Sequence, residues 1–298
     1  MRDILLKEKI IHGTAEKPVN ALHFETGADA PDGNIFFVKN HWHEYVEFIL
    51  VRKGSYQVRI NLETVTLCEG DICIFNSGDL HQIANIDEES CHDAFLFDPA
   101  ILDFQYQDQW SREVIRPFVN RSLLSANLIR PGQNNYKELL TVMNDLFAIT
   151  FSREGFWYER CKLRLLEVLL KLQDGGYLIS VDEALSSVEQ TQIRRYKKIV
   201  NYIENNFQES VSLEQLAELI PCNSQYLCRF FRKISGETPI QYLIKYRVQQ
   251  SCLMLRETRK SVSEIALDCG FDNISYFIRK FREIQGMTPG EYREMVYF

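Results

Sequence analysis

Between residues 41 and 81 the chain gathers side chains suited to gripping a ligand: His41, His43, Tyr45, Glu47 and, further on, His81. The first four stand at alternate positions, so on an unbroken strand they share one face. Three imidazoles and a carboxylate form a donor set that suits Zn, Mn, Fe or Ni. With coordination positions left open, such a set supports metal-assisted chemistry. Without a metal, the same groups hydrogen-bond a small molecule or one another. Tyr45 offers a ring that stacks on a ligand or fills a core.

A second set of capable residues occurs twice. The run "CNSQYLCRFFRKISGETPIQYL", from Cys222 to Leu243, returns fifty residues later within "GFDNISYFIRKFREIQGMTPGEYR", from Gly270 to Arg293. Each copy opens on a capping-box spacing, Ser212 to Gln215 and Ser261 to Glu264. A turn then leads to a segment apolar at Leu227, Phe230, Phe231 and Ile234, an i, i+3, i+4, i+7 stripe. Gly236 and Gly286 stand where a helix-ending glycine belongs, and a Thr-Pro pair starts the next helix. Short helix, tight turn and second helix with one buried face make a helix-turn-helix.

With that stripe inward, Gln225, Arg229 and Arg232 face out, as do Ser275, Arg279 and Arg282 in the second copy. Arg and Gln pair bidentately with guanine and adenine in the major groove. For any one of them the alternative is a solvated helix face. Residues Pro239 to Thr258 between the copies predict a helix of ~30 Å. Successive major-groove faces of B-DNA lie ~34 Å apart, so two copies on one rod reach two of them. Arg247, Arg256, Arg259 and Lys260 are candidates for phosphate contacts, which position a protein without reading sequence.

Positioning these groups takes two kinds of architecture. Before about residue 100, β-rich runs such as "VEFILVRKGSYQVRI" and "TLCEGDICIF" are broken by Gly, Asn and Asp. Two amphipathic segments follow between Tyr136 and Gln173. Leu163, Leu166, Leu169 and Leu170 in the second fit either a dimer interface or a hairpin packed within the chain. Residues 174–191, with Gly-Gly and no sustained period, read as a linker. Tyr196, Ile199, Val200 and Ile203 then stripe another helix. The fold class is α+β, sheet first and helices after.

The 298 residues suffice for two domains. Of 34 Lys and Arg and 41 Asp and Glu, residues 191–298 hold 16 and 12, leaving 18 and 29 for residues 1–190. A mildly basic part that can meet phosphate is thus joined to an acidic part that repels it. No run of about 18 apolar residues suggests a membrane span, and residues 1–20 lack the apolar core of a secretory signal. The chain is expected in the cytoplasm, without a membrane partner. Eight cysteines without a C-x-x-C pair read as reduced thiols and not a zinc cluster.

Residues 192–297 closely resemble the DNA-binding domain of the AraC/XylS family of transcription regulators. The resemblance rests on Ala217, Asn223, Tyr226, Leu227, Phe230 and Phe231, and on the ending from Gly270 to Arg293. It implies two recognition helices near 224–234 and 274–284, with Asn223, Gln225, Arg229, Arg232, Asn273, Ser275, Arg279 and Arg282 at the DNA. Ile274 and Ser275 offer little hydrogen bonding, so the second helix is expected mainly to contact the backbone. Upstream, His41-x-His43-x(3)-Glu47-x(6)-Gly54 resembles the first cupin motif. Gly70-x(5)-Asn76-x-Gly78-x(2)-His81-x(3)-Asn85 resembles the second, with Asn76 where that pattern has proline. This implies a cupin-like barrel over residues 1–134 with His41, His43, Glu47 and His81 turned inward, and an effector held there with Tyr45. No cofactor is required, and a divalent metal on the three histidines and Glu47 is a candidate. The resemblance further implies a helical hairpin over 135–173 for dimerisation and a DNA-binding domain over 192–298. Double-stranded DNA, a small-molecule effector such as a sugar, a second copy of the chain and RNA polymerase are the expected partners. The chain is expected not to be an enzyme; the rival reading is a metal-dependent cupin enzyme with a tethered helical domain.

Overall fold

The computed structural model describes residues 11–28, 35–184 and 187–297, which divide into two units between residues 190 and 191. The first unit opens with eight strands: β1 (Val19–Thr26), β2 (Phe37–His41), β3 (Val46–Lys53), β4 (Tyr56–Ile60), β5 (Glu63–Leu67), β6 (Ile72–Phe75), β7 (His81–Asn85) and β8 (Ser90–Phe97). A short helix, α1 (Arg116–Val119), leads to β9 (Leu123–Ser125) and β10 (Leu128–Ile129). Two long helices follow, α2 (Tyr136–Ser152) and α3 (Trp157–Asp174), then β11 (Leu178–Ser180) and α4 (Val181–Ala184).

Antiparallel pairing yields a five-stranded sheet, β1-β8-β3-β6-β10, and a four-stranded sheet, β2-β7-β4-β5. The sheets share an interior. Ile49, Val51, Cys73, Phe75, Ala94 and Leu96 of the first meet Tyr56, Val58, Ile60, Leu67 and Ile83 of the second. The intervening residues of the larger sheet point the other way. Phe48, Leu50, Ile72, Ile74, Phe95 and Phe97 pack on Leu139, Met143 and Leu146 of α2 and on Cys161, Leu165 and Leu169 of α3. Both faces of β3 are therefore covered, which is why the continuous run "FILV" (Phe48–Val51) replaces strict alternation there. Each Phe or Leu so buried contributes about 1.5–3 kcal/mol.

Three expectations change. His41 ends β2 and Glu47 lies in β3, so the histidine motif is not one unbroken strand. The leucine stripe of α3 splits: Leu169 is buried and Leu166 packs on the core, whereas Leu163 and Leu170 stay exposed. Finally, the segment read as a linker is regular. Leu178, Ile179 and Ser180 pair with Ser125, Leu124 and Leu123, and a helix already begins at Ser187. That strand's partner lies more than fifty residues upstream, so local composition does not announce it. The Gly-Gly pair ends α3, with Gly176 in the left-handed region at φ 75°.

The second unit is helical: α5 (Ser187–Asn205), α6 (Leu213–Glu218), α7 (Ser224–Ser235), α8 (Pro239–Glu257), α9 (Val262–Asp268), α10 (Ile274–Gln285) and α11 (Pro289–Tyr297). Tyr196, Ile199, Val200 and Ile203 of α5 are fully buried, as the stripe requires. Tyr196 and Tyr242 stand over Phe231 at 4.9 and 6.0 Å, and the Tyr242 hydroxyl donates to Glu204 at 2.6 Å. Val248, Cys252 and Leu255 of α8 form the second core with Ile265, Ala266, Phe277 and Phe281. One long helix thus serves two small modules, its start in one core and its end in the other.

Candidate functional site

Each module positions its second helix by the same local chemistry. The Ser212 hydroxyl accepts from the Gln215 amide, and the Gln215 side chain accepts from the Ser212 amide at 2.8 Å. Ser261 and Glu264 repeat the box. Asn223 and Asn273 cap α7 and α10, each side-chain oxygen accepting at 2.8 Å from the amide of Tyr226 or Tyr276. A cap of this kind stabilises a helix by ~1 kcal/mol. Gly236 and Gly286 end the two helices at φ 81° and 78°, where a Cβ is unfavourable. Both asparagines expected at DNA are thus helix caps, with their amide nitrogens still exposed at the helix starts.

The inward stripe of α7 is Leu227, Phe230, Phe231 and Ile234. Gln225, Arg229 and Arg232 are exposed, as are Ser275, Arg279 and Arg282 of α10. The copies differ in their arginines. Among the described residues, no carboxylate lies within ion-pair distance of Arg229 or Arg232. Arg279 lies over the Tyr276 ring at 5.2 Å and 4.0 Å from Glu283. Lys280 takes the place of Phe230 and pairs with Glu283 at 2.5 Å. Arg256, Arg259 and Lys260 are exposed, whereas Arg247 is half-buried and engaged within the unit. Its guanidinium donates to the Phe207 and Glu209 carbonyls, both at 2.7 Å, and lies over Phe271. It fastens the loop after α5, where Gly270, at φ 79°, leaves no room for a Cβ.

In the first unit, folding brings together what the strand break separates. His41 ends β2, His81 pairs opposite it at the start of β7, and Glu47 lies on the facing sheet. The ring centroids of His41 and His81 are 4.2 Å apart, and those of His43 and His81 4.9 Å. The Nδ1 atoms of His41, His43 and His81 lie 2.9, 3.0 and 2.8 Å from the carbonyls of Lys39, Tyr45 and Asp79. A carbonyl only accepts, so each Nδ1 carries a proton and each Nε2 is left to the centre. The three histidines can offer ligand atoms within 4.8 Å of one another. Glu47 Oε2 is 3.2 Å from His43 Nε2 and 3.3 Å from His81 Nε2.

With both Nδ1 atoms protonated, those short contacts need a further proton, on an imidazole or on the carboxyl, or a cation. Burial alone would raise the Glu47 carboxyl, but hydrogen bonds and charge from His43 and His81 outweigh it and hold it well below the usual carboxylate range. Burial, with the neighbouring His81 and His43, keeps His41 well below the ordinary histidine value. Three nitrogens and one carboxylate fit a divalent first-row cation.

Tyr45 is half-buried, its ring 6.1 Å from His43. Asn76, in the motif's proline position, binds the backbone of Ser125 through both ends of its amide. Asn85 accepts from the Phe36 amide. Two interior histidines were not singled out by motif. His12 is buried 5.9 Å from His43 and 5.2 Å from Tyr45. His92 lies among Phe24, Phe36 and Tyr56, with centroids 5.0, 4.8 and 4.7 Å away. Its parity with Ala94 and Leu96 on β8 is the signal that places it inside; nothing around His12 carries such a signal.

A helical module that presents two capped helices from one rod, preceded by a cupin-type double sheet, defines a DNA-binding regulator with a cupin domain. Residues 216–295 match the family described as a helix-turn-helix domain, and residues 23–94 match the cupin domain family. The chain is 26% identical over 290 residues to the uncharacterized HTH-type transcriptional regulator YdeC of Bacillus subtilis, covering 97% of this chain and 96% of that one. It is 23% identical to the melibiose operon regulatory protein of Escherichia coli K12, over 86% of this chain and 83% of the relative. Among solved structures it is similar to the DNA-binding domain of AdpA in complex with a target DNA, at 30% identity over 34% of this chain and 91% of that one, with a TM-score of 0.33. Residues 216–295 thus carry an AraC-type helix-turn-helix domain and residues 23–94 a cupin domain, and the relatives named above are transcriptional regulators. Helix-turn-helix domains of this type bind double-stranded DNA. Among the described residues, no helix is long and apolar enough to cross a membrane.

Proposed function

We propose that the chain is a sequence-specific regulator whose DNA binding responds to a small polar effector held by His41, His43, Tyr45, Glu47 and His81. Residues 1–134 sense, residues 135–173 pair two copies through the exposed Leu163 and Leu170, and residues 192–298 bind DNA. On the DNA, α7 reads bases with Gln225, Arg229 and Arg232. Helix α10, whose Arg279 is engaged with Tyr276 and Glu283, contacts mainly the backbone. RNA polymerase is the partner at an activated promoter. The observation that carries this reading is the repeat: two capped helices with arginines exposed at equivalent positions on the two sides of α8. A relative named for the melibiose operon supports a sugar as effector. The mechanism is a population shift, so the effector binds one arrangement of the chain better than the other. Titration of a labelled promoter fragment tests it. Specific binding is expected to exceed binding to random DNA and to weaken steeply with salt; equal affinity for random DNA refutes it.

A second reading concerns the same site. The gathering of His41, His43 and His81, with two Nε2 atoms 3.2 and 3.3 Å from Glu47, favours a divalent cation as part of the effector site. His41, His43, Glu47 and His81 would hold it, and it would supply a Lewis-acidic anchor for effector oxygens.

A further inference from the structure

A separate group of side chains lies on the outer face of the five-stranded sheet, and the barrel interior does not use it. The pairing of β1 with β8 sets His23 opposite Asp93 and Glu25 opposite Cys91. Residues two apart on a strand share a face, so His23, Asp93 and Cys91 stand together. Asp93 Oδ1 lies 2.6 Å from His23 Nδ1. An ionised carboxylate only accepts, so Nδ1 carries a proton, and in the neutral imidazole Nε2 keeps its lone pair. That Nε2 is 3.7 Å from the Cys91 sulfur. The other oxygen of Asp93 accepts from Arg52 Nε at 2.6 Å, and Asp93 itself is buried. Cys91 is half-buried and the His23 side chain half-exposed, so solvent reaches the thiol.

Thiol, base and a buried carboxylate that orients the base form the constellation of an activated nucleophile. We propose that Cys91 is a site of covalent modification by soft carbon electrophiles, α,β-unsaturated carbonyl compounds, with His23 as the base. The sulfur attacks the β-carbon while its proton passes to His23 Nε2. The carbon–carbon π pair moves onto the carbonyl as an enolate. The imidazolium then returns the proton to the α-carbon, leaving a thioether. Nothing is oxidised and nothing leaves. Asp93, pinned by Arg52, stabilises the transient imidazolium.

Attack on carbon uses the thiolate, so a thiol held protonated here needs a base at the moment of reaction. Burial and the nearby Asp93 and Glu25 push the Cys91 thiol up, and Arg52 and Lys53 offset this only in part. Lys53 is itself paired with Glu89 at 2.6 Å. A protonated thiol beside a bare imidazole nitrogen suits addition, where one base removes and returns the proton. Arg52 also donates to Asn144 at 2.6 Å and lies over the Phe147 ring, so the group is linked to α2.

The test is labelling of the full chain by N-ethylmaleimide at neutral pH, with a rate for each cysteine from peptide mass spectrometry. Cys68 is the internal reference, since it is the more exposed thiol. Cys91 is expected to react about 10-fold or more faster than Cys68, because a positioned base contributes at least that much. His23→Gln should bring Cys91 down to the Cys68 rate or below while leaving Cys68 unchanged. Equal rates for Cys91 and Cys68 in the unaltered chain, or an unchanged Cys91 rate in His23→Gln, overturn the proposal. If the buried Cys73 becomes labelled in the variant, the variant has unfolded, and the ratio in the unaltered chain alone decides.

Discussion

Replacing His92 by Phe should make the first unit less sensitive to acid. Burial holds the His92 imidazole at about 4, against an ordinary value of 6.5. Its ring is enclosed by Phe24, Phe36 and Tyr56. Above pH 6.5 neither the folded nor the unfolded chain protonates this side chain, so it contributes no pH dependence. Below 6.5 the unfolded chain binds the proton and the folded chain refuses it until about pH 4. Stability therefore falls as pH falls through that window, by about 1.4 kcal/mol per pH unit. The loss attributable to His92 is about 2 kcal/mol at pH 5 and about 3 kcal/mol by pH 4. His41, also held low, adds a loss of the same sign in both proteins. Phe is larger than His and costs some packing energy, but equally at every pH. The assay is hydrogen exchange on peptides from β8, corrected for intrinsic rate, at pH 7 and pH 5 in the unaltered chain and in His92→Phe. The difference between the two pH values should shrink by about 2 kcal/mol in the variant. An identical acid loss in both proteins would refute the claim that this ring is neutral and enclosed. The same neutrality means that His92 offers an effector a hydrogen bond and not a charge.

Arg229→Ala should weaken specific DNA binding by ~1–3 kcal/mol in fluorescence anisotropy and relax sequence preference, whereas Arg279→Ala should lose less and reduce mainly the salt dependence. Arg247→Ala should lower the melting temperature of the second unit, because two loop carbonyls lose their donor; a variant with normal melting and weakened DNA binding would restore Arg247 as a phosphate contact. Gly270→Ala should cost more than 1 kcal/mol by thermal melting, since its Cβ would stand 2.6 Å from the Phe207 oxygen at a φ of 79°. Zn or Mn added at about 100 times its dissociation constant should raise the melting point of the full chain by the equivalent of about 2.7 kcal/mol. His43→Ala should abolish that rise, and an equal rise in the variant would place the metal elsewhere.

The second unit was legible almost residue by residue because its determinants are local. Capping residues lie three positions apart, a buried stripe repeats every three or four, and glycine marks each helix end. All of these fall within one helix and its flanks, so reading Ser212, Leu227 and Gly236 suffices to place Arg229 on the surface. Arg247 escaped because its partners, Phe207 and Glu209, belong to a loop forty residues away. The first unit is governed by non-local pairing, and there the motif named side chains that the fold does bring together, but for an incomplete reason. Shared parity on one strand does not unite His41 with Glu47. The register of β2 against β7 brings His41 to His81, and the closing of one sheet on the other brings Glu47 to His81 and His43. His12 reaches the cluster only through tertiary packing, and β11 exists only because β9 receives it. The asymmetry matters for function as well as for prediction. A helix face built from local signals needs no distant pairing to keep its shape. A ligand site assembled from three separate strands and a preceding segment keeps its geometry only while those pairings persist. On the proposed function, the free energy with which an effector or cation tightened them would be available to shift the first unit between states, whereas binding at a site made within a single helix would reorganise little.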